Sequence, residues 1–113
     1  MESVLKNKSY DFAIRVVKLN QYLIKNKKEF VLSKQVLRSG TGICAFVREA
    51  EFGQSKADFT SKMSIALKEA NETDYLIAVL KGTKYLKDKE YNSLKSEIDE
   101  LIKLLFTSVK TSK

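Results

Sequence analysis

No proline interrupts this chain of 113 residues, and only four glycines do. The strongest breakers of regular structure are therefore nearly missing, and apolar residues recur at spacings of three and four rather than alternating, which predicts helix almost throughout. The pattern divides into four. The first helix is expected to begin after Ser9, whose hydroxyl can cap its amides, and to run to about Lys25. "NKKEF" is the first connection. The second helix is expected from Leu32 or Ser33 to Phe52–Gly53, with Gly53 supplying a left-handed stop. Ser55 is placed to cap a third helix, with Asp58 in its first turn, ending near Lys81–Gly82. The fourth is expected over Asp88 to Val109. Connections this short force antiparallel neighbours, so the predicted fold is an all-α, antiparallel up-down-up-down four-helix bundle in one domain, residues 1–113.

The first helix is too greasy for one core. Tyr10, Phe12, Ala13, Ile14, Val16, Val17, Leu19, Leu23 and Ile24 cover an arc of roughly 220° at 100° per residue. That width implies a second buried surface, with an ordinary wide aromatic core as the alternative. "YLIAVL", Tyr75 to Leu80, is apolar all round and suggests burial on two sides.

"LRSGTGICAFVREAEFGQSKADF" carries Gly40 and Gly42 inside a predicted helix, where each costs roughly 1 kcal/mol relative to alanine. A close approach by a neighbouring helix is one compensation, with Ile43, Val47 and Ala50 continuing that face; a kink is the rival. Cys44 sits among apolar residues and reads as a small buried hydrophobe.

Chemistry is constrained by what is missing. With no histidine and one cysteine, Ser-His-Asp and Cys-His arrangements, Glu-x-x-His iron sites and ordinary zinc sites are all excluded. "SGTG" is followed by no Gly-Lys-Ser/Thr and is not a phosphate loop. Glu49 and Glu51 point about 200° apart on a helix, and Glu69 with Glu72 reads as a solvated pair. No catalytic group, cofactor or metal is expected. The lone thiol fits a reducing cytoplasm, "MESVLKNKSY" lacks the apolar core of a signal peptide, and no uncharged run could span a bilayer.

Charge is the positive clue. The net +7 and a pI near 9.5 favour polyanionic partners, although solubility alone can account for such a charge. Residues 1–56 hold eleven basic against five acidic side chains, whereas residues 57–113 hold ten against nine. The excess thus belongs to the first half, where Lys18, Lys25, Lys27, Lys28, Lys34 and Arg38 form a strip suited to a phosphate backbone.

From "SYDFAIRVVKL" onward, and most closely over "VLRSGTGICAFVREAEFGQSKADFTSKMSIALKEANETDYLIAVL", the chain resembles the four-helix-bundle proteins encoded in intervening sequences of bacterial 23S rRNA genes, the S23 ribosomal protein family. The matching positions are Leu37, Arg38, Ser39, Gly40, Thr41, Ile43, Arg48, Glu49 and Ala50, then Ser55, Lys56, Asp58 and Phe59, then Ala66, Leu67, Glu69 and Ala70. Where relatives usually read Ser-Ile-Gly-Ala-Asn, this chain has Gly42, Ile43, Cys44, Ala45 and Phe46. The resemblance implies a ring-like homopentamer. It also brings in a related group, the accessory variability proteins of diversity-generating retroelements, which look like basic pentamers binding nucleic acid and a reverse transcriptase. Two functions are therefore expected to compete: a homo-oligomer that binds RNA or DNA through its backbone without reading sequence, or an accessory scaffold for a partner enzyme such as a reverse transcriptase.

Overall fold

A computed structural model describes residues 2–113, with side chains from residue 4 onward. Four helices follow in order: α1, Glu2–Lys27; α2, Leu32–Glu51; α3, Lys56–Gly82; and α4, Asp88–Ser112. No strand occurs among the described residues. Cross-helix partners run in opposite senses at every interface. Lys6 meets Glu51 while Asn20 meets the Ser33 carbonyl, and Ser39 meets Thr73 while Glu49 meets Lys62. Asp74 meets Lys95 while Thr60 meets Ser112, and Lys8 meets Glu100 while Arg15 meets Glu90. Each helix packs on two neighbours, α1 on α2 and α4, and α3 on the same two. The result is an up-down-up-down bundle 44 Å long, close to the roughly 40 Å that 27 helical residues span at 1.5 Å each.

Its core is a stack of inward residues repeating every three or four positions. Phe12, Val16 and Leu23 of α1 meet Val36, Ile43 and Val47 of α2, Met63, Ala66, Ile77 and Leu80 of α3, and Leu94, Ile98 and Leu105 of α4. The same stripe explains why α1 starts earlier than predicted. Leu5 is buried, so Leu5, Ser9 and Phe12 form one inward series, and Ser9 is an interior residue whose hydroxyl donates to the Lys6 carbonyl at 3.1 Å. It caps nothing. At the other boundaries the predictions fall within a few residues. Ser55 Oγ accepts from the Asp58 amide at 3.0 Å, while Asp58 Oδ2 accepts from the Gln54 amide at 3.2 Å.

Gly53 does not act as a left-handed stop. No glycine here has positive φ; α2 closes instead through Phe52, with the Phe52 and Gly53 amides donating to the Glu49 and Ala50 carbonyls. "YLIAVL" is buried on one side only, since Tyr75 and Ala78 face outward while Leu76, Ile77 and Leu80 face the core.

The two interior glycines behave differently. α2 passes through both as one continuous helix. A methyl on Gly40 would fall 2.6 Å from Val16 Cγ2 and 2.7 Å from Cγ1, so α1 presses directly onto this backbone. Gly42 faces the Glu69 side chain at 3.5 Å, an ordinary contact. Ile43, Val47 and Ala50 are buried, as is Cys44. Close packing thus belongs to Gly40 alone.

Candidate nucleic-acid interface

The antiparallel topology brings the α1–α2 connection and the α3–α4 connection to one end of the bundle. Lys25, Lys27, Lys28 and Lys34 belong to the first; Lys81, Lys84, Lys87 and Lys89 belong to the second. Sequence reading assigned the positive field to the first half because it counted charge along the chain. Folding adds the second cluster to the first. The signal was available: in an up-down-up-down bundle, the first and third connections must share an end.

Acidic groups at this end are spent locally. Glu29 is almost fully buried and accepts from the Val31, Leu32 and Ser33 amides at 3.2, 3.0 and 2.7 Å, capping α2. Burial alone pushes its pKa up, but those amide hydrogen bonds outweigh it and leave the carboxyl below its ordinary value. Asp88 lies 4.0 Å from Lys81, and Glu90 binds Arg15 at 2.8 Å. Lys18, Lys25, Lys27, Lys28, Lys34, Lys84, Lys87 and Lys89 make no ion pair among the described residues.

Arg38, the sixth residue of the predicted strip, is placed otherwise. It bridges from α2 to Glu69 at 3.3 Å and to Glu72 on α3, so its charge is already shared by two carboxylates. These acids are also not a solvated pair, since Glu69 is mostly buried against Arg38 and Gly42.

Both connections place a lysine where glycine is usual. Lys28 has φ 55° and Lys84 has φ 68°, in the left-handed region. Around Lys84 the Tyr85 amide donates to the Leu80 carbonyl at 2.8 Å and the Lys84 amide to Lys81 at 3.0 Å, the closure of a glycine-type helix end, whereas after Lys28 the Glu29 amide reaches one residue further back, to the Leu23 carbonyl at 3.0 Å. A side chain in this conformation costs roughly 1–2 kcal/mol. Each turn carries that cost and keeps a cation.

Aromatic and apolar groups are interleaved with the charge. Phe30 and Val31, at the tip of the first connection, are 60% and 66% exposed. A groove of about 410 Å³ runs between α1 and the second connection, with Lys18, Leu19 and Tyr22 on one wall and Tyr85, Leu86 and Lys87 on the other. Arg15 closes its far side. It is held by Glu90, Glu97 and Ser93, and those carboxylates raise its pKa against the opposing effect of burial.

No cluster of potential metal ligands occurs among the described residues, and no helix of these residues is long and apolar enough to cross a membrane. The sequence profile of the 23S rRNA-intervening sequence proteins matches residues 1–107. The chain belongs to that family. A crystal structure of an S23 ribosomal protein family member of unknown function from Bacteroides thetaiotaomicron VPI-5482 is 50% identical and superposes with a TM-score of 0.95, over 96% of this chain and 97% of that one. No functionally curated protein matches. Membership in the intervening-sequence family thus carries the fold, and function has to be argued from the surface.

Proposed function

We propose that this protein is a non-catalytic, oligomeric, cytoplasmic nucleic-acid-binding bundle that holds RNA or DNA by the phosphate backbone, without sequence readout, at its lysine-rich end. The observation that carries the reading is the convergence there of eight lysines without ion pairs, two of them in left-handed positions that favour glycine. Long-chain cations on two turns match phosphate contacts, which position a nucleic acid without reading its sequence. Lys18, Lys25, Lys27, Lys28 and Lys34 are the principal contacts from the first half of the chain. Arg38 contributes least, because Glu69 and Glu72 already engage it.

Oligomerisation enters through the outer face of α1. Tyr10, Ile14 and Ile24 are exposed and, with half-buried Val17, fall within about 80° on the side away from the core. This is the second surface implied by the wide apolar arc, and self-association into a pentamer covers it and repeats the lysine-rich end around a ring. The same uncovered stripe favours a second reading, an accessory scaffold whose partner is an enzyme such as a reverse transcriptase.

A salt series distinguishes the two. Labelled single- and double-stranded oligonucleotides are titrated with the wild type, with Lys25→Glu/Lys27→Glu/Lys28→Glu, and with Lys103→Glu/Lys110→Glu/Lys113→Glu, which reverses three unpaired charges elsewhere. Backbone binding predicts a slope of log affinity against log salt that becomes shallower by about 2–3 in the first triple alone. Equal weakening by both triples reduces the interface to bulk charge, and absence of binding by the wild type at low salt leaves the scaffold reading.

A further inference from the structure

The groove beside the lysine-rich end has a composition that backbone binding does not use. Its floor is apolar, formed by the buried Leu19 and Leu86, and Tyr22 and Tyr85 line it from opposite walls. Cations flank the rings. Lys18, Tyr22 and Lys25 fall at i, i+4 and i+7 on one face of α1, and Lys87 lies across the groove from them. At about 410 Å³ the groove lies within the range of small-ligand sites, and open walls let a ligand enter while attached to a chain.

We infer that this groove takes one unstacked nucleotide of a single strand, its base against Tyr22 and Tyr85 and its phosphate on Lys18 and Lys87. The inference rests on the nucleic-acid reading above and assigns it a strand preference. A base in a duplex is already stacked and paired, so it cannot enter. A single strand can turn one out at small cost, and stacking on an aromatic ring then adds affinity with little regard to which base it is. Charge sets the orientation. On the α4 side of the groove Arg15 is already taken up by Glu90 and Glu97, whereas Lys18 and Lys87 are without acidic partners and available to a phosphate.

Tyr22 is the residue to change, because it is partly exposed whereas Tyr85 also packs on the core. Tyr22→Leu keeps an apolar side chain and removes the ring; Tyr22→Phe keeps the ring. Affinities for a 12-nucleotide single strand and for the matching duplex are measured at one low salt concentration. The expected result is an approximately tenfold loss for Tyr22→Leu on the single strand, no change on the duplex, and retention of both by Tyr22→Phe. Competition by adenosine monophosphate should follow the same pattern. Equal losses on both ligands, or no loss on either, overturn the inference while leaving backbone binding in place. If adenosine monophosphate binds but strand affinity ignores Tyr22, the groove is a site for free nucleotides and the strand assignment is wrong. If the wild type binds neither oligonucleotide, both readings fall together.

Discussion

Adding one methyl group at either of two positions in α2 should move stability in opposite directions. Gly40→Ala and Gly42→Ala each gain about 1 kcal/mol of helix propensity. At Gly42 nothing offsets it, because the new carbon would lie 3.5 Å from Glu69 Oε2, at ordinary contact distance. At Gly40 the new carbon would lie 2.6, 2.7 and 3.1 Å from Cγ2, Cγ1 and Cβ of Val16, where carbon atoms normally approach to about 3.5–4.0 Å. Val16 cannot turn away. It is fully buried and β-branched, holding one strongly preferred rotamer in a helix, and its Cβ is part of the clash. The α1–α2 contact must therefore open, at an overpacking cost of about 1–3 kcal/mol. Gly40→Ala is expected to come out between neutral and about 2 kcal/mol destabilised, and Gly42→Ala about 1 kcal/mol stabilised.

Urea unfolding at one protein concentration measures the gap, with unchanged slopes confirming that the midpoint alone has moved. Thermal midpoints should separate in the same order, by about 4–8 °C for each kcal/mol. Val16→Ala supplies the control: in that background the contacts at 2.6 and 2.7 Å disappear and only the one with Cβ at 3.1 Å remains, so Gly40→Ala should cost less than it does beside valine. If both glycine variants raise the midpoint equally in the native background, the close contact between α1 and α2 is not what keeps Gly40 a glycine.

Further predictions follow from individual contacts. Glu29→Gln should cost about 0.5–2 kcal/mol at neutral pH by weakening the cap on α2; because the native carboxyl titrates below its usual value, this stability is complete above about pH 4.3 and is lost as pH falls through the native value, so the variant should show a flatter acid profile than the wild type. Arg38→Ala should lower stability by no more than about 1 kcal/mol, given its exposure, and leave oligonucleotide affinity nearly unchanged, in contrast to the lysine triple; a loss of affinity matching the triple would return Arg38 to the interface. Ile14→Asp should convert an assembly into 12.9 kDa subunits by light scattering without loss of helicity, and a wild type already monomeric at micromolar concentration refutes the role given to this face. Lys28→Gly and Lys84→Gly should each raise stability by about 1 kcal/mol while weakening nucleic-acid binding; if either gain comes with unchanged affinity, that lysine is not kept for binding.

Helix number, order and most boundaries were legible in the chain because their causes are local. Ser55 and Asp58 lie three residues apart and cap each other's turn, and the inward series of α2, from Val36 to Ile43 and Val47, is set by helical period alone. Errors arose where one residue type serves two local roles. A serine ahead of an apolar run looks like a cap, but Leu5 extends that run by two turns and turns Ser9 into an interior residue. A glycine after a helix looks like a left-handed stop, whereas α2 closes at Phe52 and the left-handed turns fall on Lys28 and Lys84. Neither lysine is marked by any propensity for that conformation. Ion pairing was equally hidden, since Arg38 and Glu72 are 34 residues apart and only the α2–α3 register joins them.

The lysine-rich end shows most directly why counting charge along a chain misleads in a bundle. By sequence, lysines 84, 87 and 89 belong to a nearly neutral half, balanced on paper by Glu97, Asp99 and Glu100. In space those acids lie further along α4, where Glu97 serves Arg15, Asp99 serves Lys95 and Glu100 serves Lys8. The lysines remain at the turn, where Glu90 is engaged by Arg15 and Asp88 sits beside Lys81. Screening limits each carboxylate to a radius of about 8–10 Å in ordinary salt, and at 1.5 Å per residue these acids stand roughly 12–20 Å along α4 from Lys87 and Lys89, so they offset this end only weakly. A net charge of +7 therefore understates the local field. Selection for solubility alone has no need to hold lysine in two left-handed turns where glycine would be more stable; a requirement for cations at this end accounts for both positions at once.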